Sequence, residues 1–453
     1  MTGPASRAVA GVTVLAAALL VAAGGAFGGA TDPLGRAGLA LGAASLGLLA
    51  ALAVGPARLL GAPRRAEGLA LAMAGFALLT ALPWPEPLAR WLAPYAWASR
   101  AQALGTAGGV APSLDAGATW RSALLLASLA LFATSVRATA RVAGPKLLLR
   151  ALSLCGLVHA AAALARGRYA QDDRLLLGFA VDNPLGAYGT FPSRAQFSGY
   201  VLLLLGAAVG LAAGSRRVAD RLLAGLTLGI GAAAVFASGS RAGMGGGAVL
   251  AATAWVGGAP AGARRRRTSW LALFLLAVAG LRLSGWGPLE RALPLRGDEP
   301  KRLEIWQGSL ALAMRQPTTG VGLQAFRHAY AGEGRGPGDT FVAVAENDAL
   351  QWVAEMGIVG LVLGGLFVAA VVGSLRRARR EGGGRGVAPV VALCGFAGVA
   401  PLSLTGVPLS TPAVAAAAIL AWAAALGLVR GDDADAEGGY RLSSRSEAPW
   451  PVS

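Results

Sequence analysis

Apolar runs long enough to cross a bilayer recur along the whole chain, and short clusters of arginine interrupt them at alternate gaps. A helix rises about 1.5 Å per residue, so about 18 to 20 apolar residues cover a hydrocarbon layer of about 30 Å. Within that layer the backbone must satisfy its own hydrogen bonds, and a chain patterned this way folds as helices. Candidate spans fall at 8–29, 37–56, 66–83, 119–136, 147–165, 196–213, 221–237, 243–258, 270–285, 349–373, 388–404 and 411–429. The expected architecture is an all-α integral membrane protein of about twelve transmembrane helices. Composition agrees, because 55% of the 453 residues are hydrophobic and only 14% are charged, which excludes a string of soluble domains.

The arginine clusters set an expected orientation. Arg58, Arg64 and Arg65; Arg137, Arg141 and Lys146; Arg216, Arg217 and Arg221; Arg264 to Arg267; and Arg376, Arg377, Arg379, Arg380 and Arg385 fall in every second short connection. Positive residues are retained on the cytoplasmic side, which puts both termini there and the larger segments 84–118, 166–195 and 286–348 on the opposite side. The net charge of +17 is distributed as membrane anchors rather than as a basic domain with interleaved aromatics, so nucleic acid is not expected as a partner and membrane lipid is.

The expected domain plan is a single membrane domain over 1–430, with 286–348 as an extracytoplasmic catalytic loop within it and 431–453 as a disordered cytoplasmic tail. Residues 8–30 follow Arg7 and imitate a signal peptide, but the length of the run favours a first membrane helix. Cys155 and Cys394 lie inside spans and His159 and His328 far apart, so neither a metal site nor a cofactor is expected. The run "GMGGGA" at 243–248 is weak evidence for a close helix contact and lacks a phosphate-loop ending.

Arginines on the non-cytoplasmic side run against the insertion bias and call for another reason; Arg166, Arg168, Arg174, Arg194, Arg241, Arg302, Arg315, Arg327 and Arg335 are placed there. Arg241 in "FASGSRAG" stands at a turn between spans, where it either snorkels to lipid phosphate or holds a diphosphate by bidentate hydrogen bonds. Arg194 in "GTFPSRAQFSGY" is a second clamp of the same kind. The stretch "PKRLEIWQGSLALAMRQP" predicts an interfacial helix with Ile305, Leu310, Leu312 and Met314 broadly on one side and a stop at Pro317. Trp306, Phe326 and Tyr330 either pack on lipid or stack on sugar rings.

In "AENDALQWVAEMG", Asp348 followed by Gln351 fits a capping box at the start of the tenth span. Glu346 lies just outside that helix, where its carboxylate is able to accept a proton from a hydroxyl near the membrane surface. Glu355, about two turns in, is too deep for a solvated residue and bonds within the bundle. Asn347, Asp348, Gln351 and Glu355 are thus supporting or capping residues.

From about Ser113 to Trp422 the chain resembles the bacterial O-antigen ligase and Wzy-type polymerase family. The resemblance rests on "YGTFPSRAQFSGYVLLL", "SGSRAG" at 238–243, "PTTGVGLQAFRHAY" through "AENDALQWVAEMGIVG", and the late "PLSLTGVPLSTPAVAAAA", in that order. The chain departs where many relatives read NxNHFA, here "SRAQFS" at 193–198, and where they carry His, here Glu346 before Asn347; the late His is missing from 401–410. These departures favour the polymerase branch or an exopolysaccharide relative over the lipid A-core ligase. The resemblance implies a GT-C-like glycosyltransferase of the bacterial inner membrane with its active site on the periplasmic side. Its donor would be a glycan on undecaprenyl diphosphate and its acceptor a hydroxyl of a glycan or lipid-linked sugar, with a chain-length regulator or other assembly proteins as partners. It further implies an inverting, metal-independent displacement in which Arg241, Arg194 and Arg327 hold the diphosphate and Glu346 is the base. A transporter or flippase of an amphiphilic anion is the alternative reading of the same spans.

Overall fold

The computed structural model describes residues 4–55, 65–105, 109–167, 187–257, 298–331, 342–381 and 387–426. Their regular structure is helical, and among the described residues extended pairing is confined to two isolated bridges, Trp84 with Val110 and Tyr188 with Phe191. In chain order the helices are α1 (Pro4–Ala26), α2 (Pro33–Val54), α3 (Arg65–Ala81), α4 (Glu86–Leu92), α5 (Pro94–Leu104), α6 (Ala116–Ala143), α7 (Pro145–Gly167), α8 (Arg194–Gly214), α9 (Val218–Ala237), α10 (Arg241–Gly257), α11 (Asp298–Arg315), α12 (Phe326–Ala331), α13 (Asp348–Glu381), α14 (Val387–Leu404) and α15 (Pro412–Leu426).

Seven of these are long and apolar enough to cross a membrane, namely α1, α2, α6, α7, α8, α9 and α13, which overturns the twelve-span, GT-C-like expectation. Among the described residues α3 and α10 contribute 17 helical residues each and the apolar pieces Cys394–Leu404 and Pro412–Leu426 fewer, about 26 Å or less at about 1.5 Å per residue against a hydrocarbon layer of about 30 Å. The expected span at 270–285 and the tail at 431–453 lie outside the described residues, as do 168–186, 258–297 and 332–341.

Helix α8 is the centre of the bundle, with 78% of its apolar window buried, against 11% for the peripheral α13. Around it pack α7, α9, α10 and α14. Helix α14 runs antiparallel to α8, since Gly395 meets Leu203 while Leu402 meets Gly199. At the crossing of α10 and α14, a Cβ on Gly246 would collide with the carbonyl oxygen of Gly398. The 243–248 run is therefore a true close-contact surface, because without the hydrophobic effect between helices only small residues let backbones approach this closely.

Two ion pairs pin the bundle at one end. Arg137 Nε of α6 lies 2.6 Å from Glu67 Oε1 of α3. Arg150 of α7 forks onto Asp220 of α9 at 2.7 and 2.8 Å, and Ser215 Oγ donates to the same carboxylate at 2.6 Å.

At the other end a cap forms around its own small core of Ile305, Leu312, Val321, Phe326, Tyr330 and Ala354, with Tyr95 and Leu114 against it. Helix α11 stops before Pro317 as expected, but its burial differs from the expected face: Ile305 and Leu312 are enclosed, while Leu310 and Met314 are exposed. Residues seven apart return to the same side of a helix, and those two alone meet the cap core. The Gln316 side chain ties the cap together, its Oε1 accepting from the Ala96 amide at 2.9 Å and its Nε2 donating to the Pro112 carbonyl at 2.9 Å. Helix α13 is broken at Gly357, where φ is 60° and a side chain would strike the carbonyl oxygens of Pro317 and Thr318. The carbonyls freed by the break accept from the loop instead: Val321 N–H donates to Ala354 and Gly322 N–H to Glu355, each at 2.9 Å. Glu355 accordingly belongs to the short piece before the break.

Candidate functional site

At the cap end the starts of α8 and α13 are joined by one connecting segment, 404–411, between α14 and α15, and the start of α10 packs on α8 where Gly243 meets Ser198. Asn347 Nδ2 donates to the Leu404 carbonyl at 3.0 Å. The Asp348 carboxylate accepts from the Leu409 amide at 3.2 Å and from Ser410 Oγ at 2.9 Å. On its other side the segment rests on α8, with Gly406 against Ala195 and Pro408 against Gly199. This late segment carries no histidine, and its role here is to clamp the α13 start to the α8 start.

The turn before α10 is built from serine hydroxyls. Ser198 Oγ of α8 and Ser238 Oγ lie 3.2 Å apart, and Ser240 Oγ accepts from the Gly243 amide at 3.0 Å. Gly239 makes the turn with φ 67°, a conformation that costs glycine little, and the Arg194 guanidinium lies directly beside it. Arg194 and the turn that carries Arg241 are thus adjacent. Tyr188, just before α8, has its hydroxyl enclosed without a hydrogen-bond partner among the described residues, and burial pushes its ionisation upward, so it stays a neutral donor. It opens the stretch "YGTFPSRAQFSGYVLLL", in which the arginine alone is singled out.

Glu346 is half-buried and holds a left-handed φ of 53°, unusual for a residue with a side chain. Trp306 Nε1 donates to its backbone carbonyl at 3.4 Å, which braces the strained residue against α11. The cap of α13 is Asn347, whose Oδ1 accepts from the amides of Ala349 at 2.9 Å and Leu350 at 3.1 Å. Asp348, the expected cap, is committed to the late segment, and the register of the helix start explains it: Asn347 is the last residue outside the helix. Gln351 is not part of a capping box; its Oε1 accepts from the Ala345 amide and its Nε2 donates to Glu355 Oε1, both at 2.6 Å. The Glu355 carboxylate also takes the amides of Gln324 and Phe326, so it organises the 320–326 turn.

Phe326 and Tyr330 stack on each other with centroids 5.3 Å apart inside the cap core, which spends their faces on protein rather than on lipid or sugar. Arg327, between them in sequence, is exposed, and its Nε donates to His328 Nε2 at 3.2 Å; His328 in turn lies 3.3 Å from Asp115. The charges acting on Arg36, in α2, are those of Glu355, Arg327, Asp32 and Arg121, which groups Arg327 with two arginines that sequence reasoning passed over. The available signal was position: Arg36 and Arg121 stand near the starts of spans whose opposite ends carry the basic clusters. Among the described residues no three His, Cys, Asp or Glu side chains group as metal ligands. Arg335, Arg168 and Arg174 lie outside the described residues.

Comparison with known families finds the O-antigen ligase (Wzy_C) domain over residues 226–365, from within α9 across the 238–243 turn and the cap to beyond the break in α13. No curated protein matches the chain. The matched stretch contains Arg241, Arg327 and Glu346, while Arg36, Arg121, Arg194 and the late segment lie outside it. At the level of that domain the match supports a glycan-handling function of the ligase or polymerase type, and the chain has several helices long and apolar enough to cross a membrane.

Proposed function

We propose that this chain transfers or polymerises a polyprenyl-diphosphate-linked glycan onto a hydroxyl acceptor during surface polysaccharide assembly, at the periplasmic face of the bacterial inner membrane. One observation supports this most: the 404–411 segment clamps the Glu346–Asp348 start of α13 to the start of α8, where Arg194 lies beside the turn carrying Arg241. A carboxylate and two guanidiniums are thereby collected at one end of the molecule from three distant parts of the chain.

In the proposed reaction the acceptor oxygen attacks the anomeric carbon of the donor. The bond to the diphosphate oxygen breaks, its electron pair leaves with the diphosphate, and the hydroxyl proton passes to the Glu346 carboxylate. A single displacement inverts the anomeric carbon. The leaving group is already a weak base and needs charge stabilisation more than a proton; Arg241 and Arg194, with Arg327, supply donors that stay charged throughout. Clamping fixes the geometry, and it is the natural use for the strain held at Glu346.

The test is transfer by purified protein supplied with labelled undecaprenyl-diphosphate glycan and one acceptor at a time. Glu346→Gln is expected to lower turnover by about 10²- to 10⁴-fold, the usual worth of a general base, with donor binding retained. Transfer at the normal rate by that variant refutes the assignment. A ladder of products marks a polymerase, and a single addition marks a ligase.

A further inference from the structure

Glu346 keeps its left-handed φ of 53° between two fixed points of the chain. A side chain disfavours that conformation, so it persists only where neighbours impose it. One residue after it, Asn347 caps α13 and donates to the Leu404 carbonyl at 3.0 Å. One residue before it, the buried Ala345 amide donates to Gln351 Oε1 at 2.6 Å. Gln351 and Glu355 are both buried, and Gln351 Nε2 donates to Glu355 Oε1, again at 2.6 Å. The backbone at that level of α13 holds the 320–322 turn, because the Val321 amide donates to the Ala354 carbonyl and the Gly322 amide to the Glu355 carbonyl, each at 2.9 Å. A continuous set of bonds thus runs from beside the break in α13 to the residue before Glu346.

An amide suits the middle of this relay. Its oxygen accepts from a backbone N–H while its nitrogen donates to a carboxylate. A carboxylate at 351 would face the Glu355 carboxylate, and an apolar side chain would leave the Ala345 amide and the Glu355 oxygen buried without these bonds.

We propose that Gln351 is a positioning residue for glycan transfer: through the Ala345 amide it fixes the left-handed backbone that aims the Glu346 carboxylate at the acceptor hydroxyl. The inference rests on Glu346 as the base and deepens that reading. Gln351 itself is enclosed and acts only through its neighbour. Without its bond the segment before Glu346 is released from one of its two fixed points, and a displacement of about 1 Å at a reacting group can cost about 10²-fold in rate.

The experiment measures transfer by purified full chain with labelled undecaprenyl-diphosphate glycan for Gln351→Met, Glu346→Gln and the double variant. Gln351→Met is expected to lower kcat about 10- to 100-fold with little change in KM for the donor. In the Glu346→Gln background it should add no further loss, because the group it aims is already gone. An equal loss in both backgrounds marks a merely structural role and overturns the proposal. Deuterium uptake by a 342–347 peptide should rise in Gln351→Met, and unchanged uptake overturns the hold on Ala345. If Gln351→Met does not fold, Q351E and the pair Q351E/E355Q decide: the single change should lower kcat, and the pair should recover most of the loss, since position 351 still accepts from Ala345 and now also accepts from position 355. No recovery by the pair overturns the relay. Glu346→Gln at the parent rate removes the base reading and this role with it, whereas a slow Glu346→Gln beside a Gln351→Met of parental kcat leaves the base reading standing and overturns this one alone.

Discussion

The two ends of α6 carry arginines with opposite fates. Arg137 is enclosed and bonded to Glu67 at 2.6 Å. Arg121, about 24 Å away along the same helix at about 1.5 Å per residue, is exposed. The pattern repeats elsewhere: Arg150 at the first end is forked onto Asp220, and Arg36 at the second has a sealed Nε with no hydrogen-bond partner among the described residues. An ionised side chain inside a membrane protein is expensive, and its cost is offset either by a protein partner or by a ligand. Charges of the first kind hold the bundle together.

If that contrast is right, mutations at the two ends differ in kind. The largest loss of stability is expected for Glu67→Gln, about 3–5 kcal/mol, because it leaves Arg137 buried without its counter-charge. Thermal or denaturant unfolding in detergent measures it, and the double change Glu67→Leu with Arg137→Met should recover most of the loss. A single variant as stable as the parent would break the distinction. Next is Gly246→Val, expected to cost about 1–3 kcal/mol because its side chain meets the Gly398 carbonyl; the same unfolding measurement reads it, and a neutral result would mean that α10 and α14 separate easily. The smallest effect on stability belongs to Arg36→Met. Since it removes a buried donor that has no hydrogen-bond partner among the described residues, unfolding should be unchanged or raised by about 1 kcal/mol. A destabilisation as large as that of Glu67→Gln would put Arg36 among the structural charges.

Much of the site was legible in the chain before any coordinates. The turn carrying Arg241 and the placement of Glu346 just outside a helix follow from glycine, serine and hydropathy signals that act over a few residues, whereas the approach of Arg194 to that turn is tertiary. Other features were misread for a common reason. The capping box assigned to Asp348 depended on a helix start one residue away from the real one, and a shift that small exchanges the cap for the neighbour that reaches the late segment. Phe326 and Tyr330 read equally well as binding aromatics or as core, because an aromatic spacing says nothing of what covers the rings. The break in α13 was invisible in a continuous apolar run, since Gly357 is one glycine among 66 and the loop that straightens its neighbours' carbonyls comes from 317–322.

Local physics, then, was enough to establish a helical membrane protein with most of its charge at the span boundaries: hydropathy and helix rise act along the chain and are readable in order. The number of helices long enough to cross, and the sorting of arginines into paired and available, required the folded molecule. Arg137 finds Glu67 across 70 positions, and Gln316 finds the Ala96 amide across 220. A hydrogen bond depends on where two groups come to rest in space, and over separations of that size the intervening sequence does not encode the distance.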